Sequence, residues 1–164
     1  MADFYADMRD IRFNLFDVLD VGSFPKHDRY KDADVATMND ILDAAEQQAR
    51  EILFPCNEKG DRIGVKFEAG KVTLPPGYRE AYKAFSEAGW VGLSMRPENG
   101  GQGFPLVLHI ASQELFTAAN VNLMFTPGLT HGALGLIQEF GSADQKATYA
   151  DKMLSGEWSG TMCL

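Results

Sequence analysis

The stretch LFTAANVNLMFTPGLTHGALGLIQ, residues 115–138, carries no Asp, Glu, Lys or Arg over 24 positions, long enough for a helix to cross a bilayer. Its content argues against that use. Asn120, Asn122, His131, Gln138 and Pro127 are each costly in hydrocarbon, and three glycines and three threonines dilute the rest. The alternative is a helix pair inside a helical bundle, covered on all sides because it has no polar face. That reading makes the chain all-α, and the flanking sequence agrees with it.

Upstream, Pro105 opens the first helix of the pair, with Leu106, Ile110, Leu115 and Ala118 expected inward. The second runs from about Asn122 to Phe140, with Pro127 either early in it or kinking it, and Gly141 closes it. Downstream, Ser142 and Gln145 have capping-box spacing, and Ala147, Tyr149, Ala150, Met153 and Leu154 lead to a stop at Gly156. Nearer the N-terminus, Met8, Ile11, Leu15, Val18 and Leu19 predict a short helix. Asp34 caps a longer one along Val35, Met38, Leu42, Ala45, Ala49 and Ile52, which Pro55 is expected to stop. Between Asn57 and Pro76 the period changes: Val65 and Phe67 alternate with polar residues, Ala69-Gly70 supplies a turn, and Val72 and Leu74 alternate on the way out. A small hairpin-like excursion follows from this. Pro76 then begins a helix along Tyr78, Ala81, Tyr82, Phe85 and Ala88 that ends at Gly89, and residues 90–104 form an ordered glycine-rich loop. The sum is a bundle of about six helices.

The 164 residues include 15 Lys+Arg against 23 Asp+Glu, a formal charge of −8, so there is no basic excess to replace phosphate counterions and no nucleic-acid partner is expected. At 45% hydrophobic and 23% charged, the composition is that of an ordinary globular domain. The N-terminus has scattered charges and no apolar run, so it fits neither a secretory nor a transit signal. Cys56 and Cys163 match no metal spacing and read as free thiols. A cytoplasmic protein without a membrane span or metal site is the expectation.

No HExxH, GxSxG, CxxC or P-loop pattern occurs, which removes the geometry that zinc proteolysis, the hydrolase elbow, thiol redox and nucleotide hydrolysis require. Gly100-Gly101-Gln102-Gly103 could cradle a phosphate, but no Lys-Ser/Thr follows and no strand precedes it; a tight turn between helices is the better reading. His109 and His27 suggest no catalysis. His131 lies in the uncharged stretch and must find a hydrogen-bond partner, as a structural histidine does. The last eight residues, EWSGTMCL, are apolar and suited to a strand, so the sequence predicts the first strand of a β-domain that continues beyond Leu164.

Several segments, in order, resemble the flavin-dependent acyl-CoA dehydrogenases. Gly89-Trp90-Val91-Gly92-Leu93 followed by Pro97-Glu98-Asn99-Gly100-Gly101-Gln102-Gly103 is similar to that family's GWxGL…PExxGGQG loop. Residues 131–156 resemble its final N-terminal helices, and Gly160-Thr161-Met162-Cys163-Leu164 resembles the start of its flavin-contacting strand. The opening YADMRDIRFNLFDVL is similar to the leader of the larger bacterial members, the group that includes 3-methylmercaptopropionyl-CoA dehydrogenases.

The resemblance implies a leader over residues 1–31, a helical domain over 32–156 and the beginning of a middle β-domain over 157–164. It implies FAD as cofactor, an acyl-CoA thioester as substrate and an electron-transfer flavoprotein as electron acceptor. The remaining domains of the same enzyme, in a homo-oligomer, would complete the site. Met162 and Leu164 match positions that line the flavin, Met162 by packing and Leu164 through its backbone N–H. Gly128, Leu129 and Gly132 match the floor of the acyl-chain cavity, although glycines there equally permit close helix packing. The catalytic glutamate has no counterpart within these residues. A non-enzymatic helical module that docks on a partner through an apolar face is the rival reading.

Overall fold

The computed structural model describes residues 3–161. Among them six α-helices and one two-stranded hairpin are formed: α1 (Met8–Arg12), α2 (Val35–Gln48), α3 (Phe54–Ile63), β1 (Lys66–Glu68), β2 (Lys71–Thr73), α4 (Tyr78–Glu87), α5 (Leu106–Phe140) and α6 (Ala143–Leu154). The all-α reading therefore stands. Where the expected helices carry caps, the caps are seen. The Thr37 N–H donates to Asp34 Oδ1 at 2.7 Å, and Ser142 and Gln145 exchange both bonds of a capping box.

Two helices widen where the sequence reading assumed a constant period. Phe13–Val18 continues α1 as a π-helix, and Ala49–Leu53 continues α2 in the same way. A π turn inserts an extra residue per turn and rotates the apolar stripe. Hence Leu15 is buried but Val18 and Leu19 are more than half exposed, and Leu53, not Ile52, is buried at the end of α2. Pro55 does not end the helical run either. It occupies the first turn of α3, where its missing N–H costs nothing, and the chain stays helical to Ile63. The hairpin is accordingly narrower than expected, with Lys66 paired to Thr73 and Phe67 to Val72 around Ala69-Gly70, both at positive φ. After it, α4 starts at Tyr78 rather than at Pro76.

The uncharged stretch forms the expected helix pair. A straight helix would keep residues 109 and 131 about 33 Å apart, yet their rings stack with centroids 4.2 Å apart. Helix α5 therefore doubles back at Asn120 (φ −159°, ψ 83°), between the two expected helices, and Pro127 lies early in the second arm. In the first arm Leu108, Ala111, Leu115, Phe116 and Ala119 are buried, whereas Leu106, Ile110 and Ala118 face outward, contrary to expectation. With few charges to mark a polar side, the sequence leaves the rotational phase of this arm open. Nor is the pair covered all round. Val121, Phe125, Leu136 and Phe140 are exposed along the second arm.

The main core gathers Ala45, Ala49 and Leu53 from the α2 run, Tyr78, Ala81 and Phe85 from α4, Trp90 and Leu93 from the loop, and both arms of α5. Phe116 is its centre, meeting Phe85 edge-on at 5.1 Å and Trp90 at 4.9 Å. From the N-terminal segment, Phe4, Ala6, Met8 and Ile11 pack against this core.

Candidate functional site

The expected cavity residues lie on the outer face of the second arm of α5. Gly128 and Leu129 line a shallow hollow of about 190 Å³ with Thr117, Val121, Met124 and Phe125. A Cβ on Gly128 would meet nothing within 4 Å, so this glycine opens space and is not needed for helix contact. Gly132 lies one turn further along the same helix, half-buried and outside that hollow. Met162 and Leu164, the expected flavin contacts, lie outside the described residues, as does Cys163.

The arm is positioned by one buried side chain. Asn120 is fully buried; its Oδ1 accepts from the Leu123 N–H at 3.1 Å, capping the second arm, and from Tyr78 Oη at 3.3 Å. Its Nδ2 donates to Leu53 O at 3.2 Å and Cys56 Sγ at 3.3 Å. One amide thus ties α2's end, α3, α4 and both arms of α5 together. Burial pushes the Cys56 thiol and the Tyr78 hydroxyl above their usual pKa values, and the Tyr78 hydroxyl keeps the proton that its donation to Asn120 Oδ1 requires. The sequence reading passed over Asn120. The signal was its residue type, since asparagine is among the preferred N-caps.

His131 does find its partner, with Nδ1 3.0 Å from the carbonyl oxygen of Val91. His109 stacks on it, 7% exposed, and its Nδ1 has no hydrogen-bond partner among the described residues. Burial, aided by the neighbouring His131, lowers the His109 pKa from 6.5 to about 4, so the ring is neutral at physiological pH. The glycine loop makes no phosphate cradle. Its amides turn inward: Gly101 N–H to Arg96 O, Gln102 N–H to Gly92 O and Gly103 N–H to Met95 O. At Gly101 a Cβ would fall 2.2 Å from Met95 O, so only glycine fits.

Beyond α6 the tail crosses back over α5. The Gly160 N–H donates to Thr130 Oγ1 at 3.0 Å. Residues 157–161 form no strand, and the remainder of the expected strand lies outside the described residues. Gly156, Glu157 and Ser159 of this tail rim a second, larger cleft of about 800 Å³ with Tyr78, Tyr82 and Thr126. Among the described residues no cluster of three or more His, Cys, Asp or Glu could hold a metal, and no helix is long and apolar enough to cross a membrane.

The chain belongs to the family described as acyl-CoA dehydrogenase, N-terminal domain, which matches residues 39–157. Over 98% of its length it is 35% identical to the 3-methylmercaptopropionyl-CoA dehydrogenase of Ruegeria pomeroyi. It is 32% identical to a butyryl-CoA dehydrogenase of Syntrophomonas wolfei over 99% of its length, and 28% identical to the broad-specificity linear acyl-CoA dehydrogenase FadE5 of Mycobacterium tuberculosis over its whole length. The chain spans 27% of the length of each of these relatives. Among solved structures, a chain described as the electron transferring flavoprotein of Acidaminococcus fermentans shares the fold. That match has a TM-score of 0.58 and 22% identity, and it covers 73% of this chain and 29% of that one.

Toward a flavin, the described residues offer little polar recognition. The outer face of α5 offers apolar surface, but Thr130 Oγ1 and His131 Nδ1 are already engaged within the domain.

Proposed function

We propose that this chain is the helical domain of a cytoplasmic, FAD-dependent acyl-CoA dehydrogenase of the large bacterial group, one that converts an acyl-CoA thioester to the enoyl-CoA and passes electrons to an electron-transfer flavoprotein. The family match over residues 39–157 carries the reading. The hollow at Gly128 agrees with it, since an alkyl chain needs a dry, uncharged wall with room left by a missing side chain.

In such an enzyme the flavin supplies the redox chemistry when bound. The part played by this chain is shape: Val121, Met124, Phe125 and Leu129 exclude water from one side of an acyl chain, and Gly128 sets how much of it fits. The proton-abstracting glutamate lies outside these 164 residues. The chain alone therefore binds flavin weakly and does not turn over, because the few contacts it makes cannot offset the cofactor's lost freedom.

The test is to express the longest reading frame that contains these residues and add acyl-CoA thioesters of graded length, with and without a thioether. A yellow protein whose flavin band bleaches on addition, with reduction of an electron-transfer flavoprotein, is expected. A colourless product that reduces no acceptor with any thioester would overturn the proposal.

A further inference from the structure

We propose that the β1–β2 hairpin is a self-docking surface: β1 of one copy of this chain pairs antiparallel with β1 of a second copy, Phe67 opposite Phe67 on a two-fold axis, and the two hairpins make one four-stranded sheet. The inference stands apart from the dehydrogenase reading and does not depend on it.

The hairpin follows the two-residue period of a strand without exception. Phe67 pairs with Val72, and the alternation carries Val65 and Leu74 onto the same face. Lys66, Glu68, Lys71 and Thr73 take the other face. The apolar side is not turned into the core: Val65, Phe67 and Val72 are each more than half exposed, and Leu74 more than a third. Among the described residues the sheet has only these two strands, so both outer edges are open. A two-stranded hairpin by itself is marginal in water, whereas three or more strands with a hydrophobic face hold together. A second copy supplies two more strands and doubles the apolar face.

Charge selects both the occupant and the edge. Across a two-fold axis between antiparallel strands, one residue faces itself and its neighbours face each other. An axis through Lys66 or Glu68 sets like charges opposite. An axis through Phe67 sets Lys66 of each copy against Glu68 of the other, twice, while the two Phe67 rings meet on the apolar face. β2 has no such complement, because an axis through Val72 sets Lys71 against Thr73. The backbone favours the same centre. The two-residue turn Ala69-Gly70 closes on Glu68 and Lys71, which turn their N–H and C=O toward each other; by alternation Phe67 turns its own toward the open edge. Two copies therefore exchange a pair of hydrogen bonds at the residue on the axis.

Strands of three residues make a small interface, so the test traps it covalently. Phe67→Cys in the full reading frame is treated with oxidised glutathione, and disulfide-linked dimers are identified by mass spectrometry of the linked peptides. Directly opposed antiparallel residues have Cα atoms about 5.5 Å apart, within the span of a disulfide, so a 67-to-67 link is expected. Val72→Cys lies roughly 14 Å from its copy, three strand spacings away, and should link at least about tenfold more slowly. Equal linking at the two positions, or no link at 67, overturns the proposal. K66E and E68K, each added to F67C, should each slow linking by about tenfold. Mixed together they should link with each other at the F67C rate, because both positions again face opposite charge. A mixture that links no faster than either variant alone overturns the register. Residues 66–68 and 71–73 are all exposed, so none of these changes disturbs the core. Protection of the 65–68 amides from hydrogen exchange at a concentration where no link forms would put another part of the same polypeptide on the hairpin, and would overturn the second copy as its occupant.

Discussion

The two arms of α5 contain a single charged residue before Glu139, Glu114, yet they meet opposite fates. The first arm turns Leu108, Ala111, Leu115, Phe116 and Ala119 into the core. The second buries Leu123, Met124 and Leu134 but shows Val121, Phe125, Leu136 and Phe140 to solvent. Lack of charge thus does not by itself separate a helix face that the core covers from one left open to solvent. What separates the arms is the Asn120 junction, which spends its hydrogen bonds entirely on the inner side.

The sharpest break in that contrast is Phe116→Ala, which removes the ring that Phe85 and Trp90 share. We expect a loss of about 4 kcal/mol, read by urea denaturation, whereas Phe125→Ala on the outer face should stay within about 0.5 kcal/mol. Equal losses would dissolve the distinction between the arms.

The histidine pair joins the arms where the core meets the loop. His109 is held neutral, its pKa lowered from 6.5 to about 4 by burial and by His131. A depressed histidine contributes stability that is intact above the unfolded value and is lost as pH falls through the folded one. Between pH 6.5 and 4, unfolding should therefore become easier by roughly 3 kcal/mol. His109→Phe should flatten that dependence; an unchanged slope in the variant would assign the acid sensitivity elsewhere.

Asn120→Ala strips the cap from the second arm and leaves the Tyr78 hydroxyl and the Leu123 N–H without their acceptor. A loss of about 2 kcal/mol is expected. Asn120→Asp, which keeps the acceptor but not the donor to Leu53 O, separates the cap from the tie to α2. The smallest effect has the opposite sign. Gly128→Ala adds a methyl that meets nothing within 4 Å and removes helical glycine entropy, so stability should rise by roughly 0.5–1 kcal/mol. Under the proposed function, the same methyl in the full reading frame narrows the hollow and should disfavour long or branched acyl chains over short ones in kcat/KM.

Much of this was legible along the chain. Asp34 and the Ser142–Gln145 pair mark helix starts because a side-chain acceptor three residues from an amide is a local arrangement. Ala69-Gly70 marks the hairpin for a similar reason, the positive φ that both residues adopt. Pro55 misled because the same ring that ends one helix begins another with ease. The phase errors at Val18, Ile52, Leu106 and Ile110 share a cause: periodicity presumes a fixed residue count per turn and a polar side to count from, and the π turns removed the first while the uncharged arm lacked the second.

By itself, then, the order of residues determined the helical class, most caps and turns, the glycine loop and the family, since these depend on neighbours within a few positions or on motifs in sequence. Only the tertiary structure decided that Asn120 binds Leu53, Cys56 and Tyr78, that His109 stacks on His131, that Gly128 opens outward and that Gly160 hydrogen-bonds Thr130. Each of those joins groups 20 or more positions apart or sets them against open space. Their energies come from packing and desolvation, which local sequence cannot express because the partner is chosen by how the whole chain closes on itself.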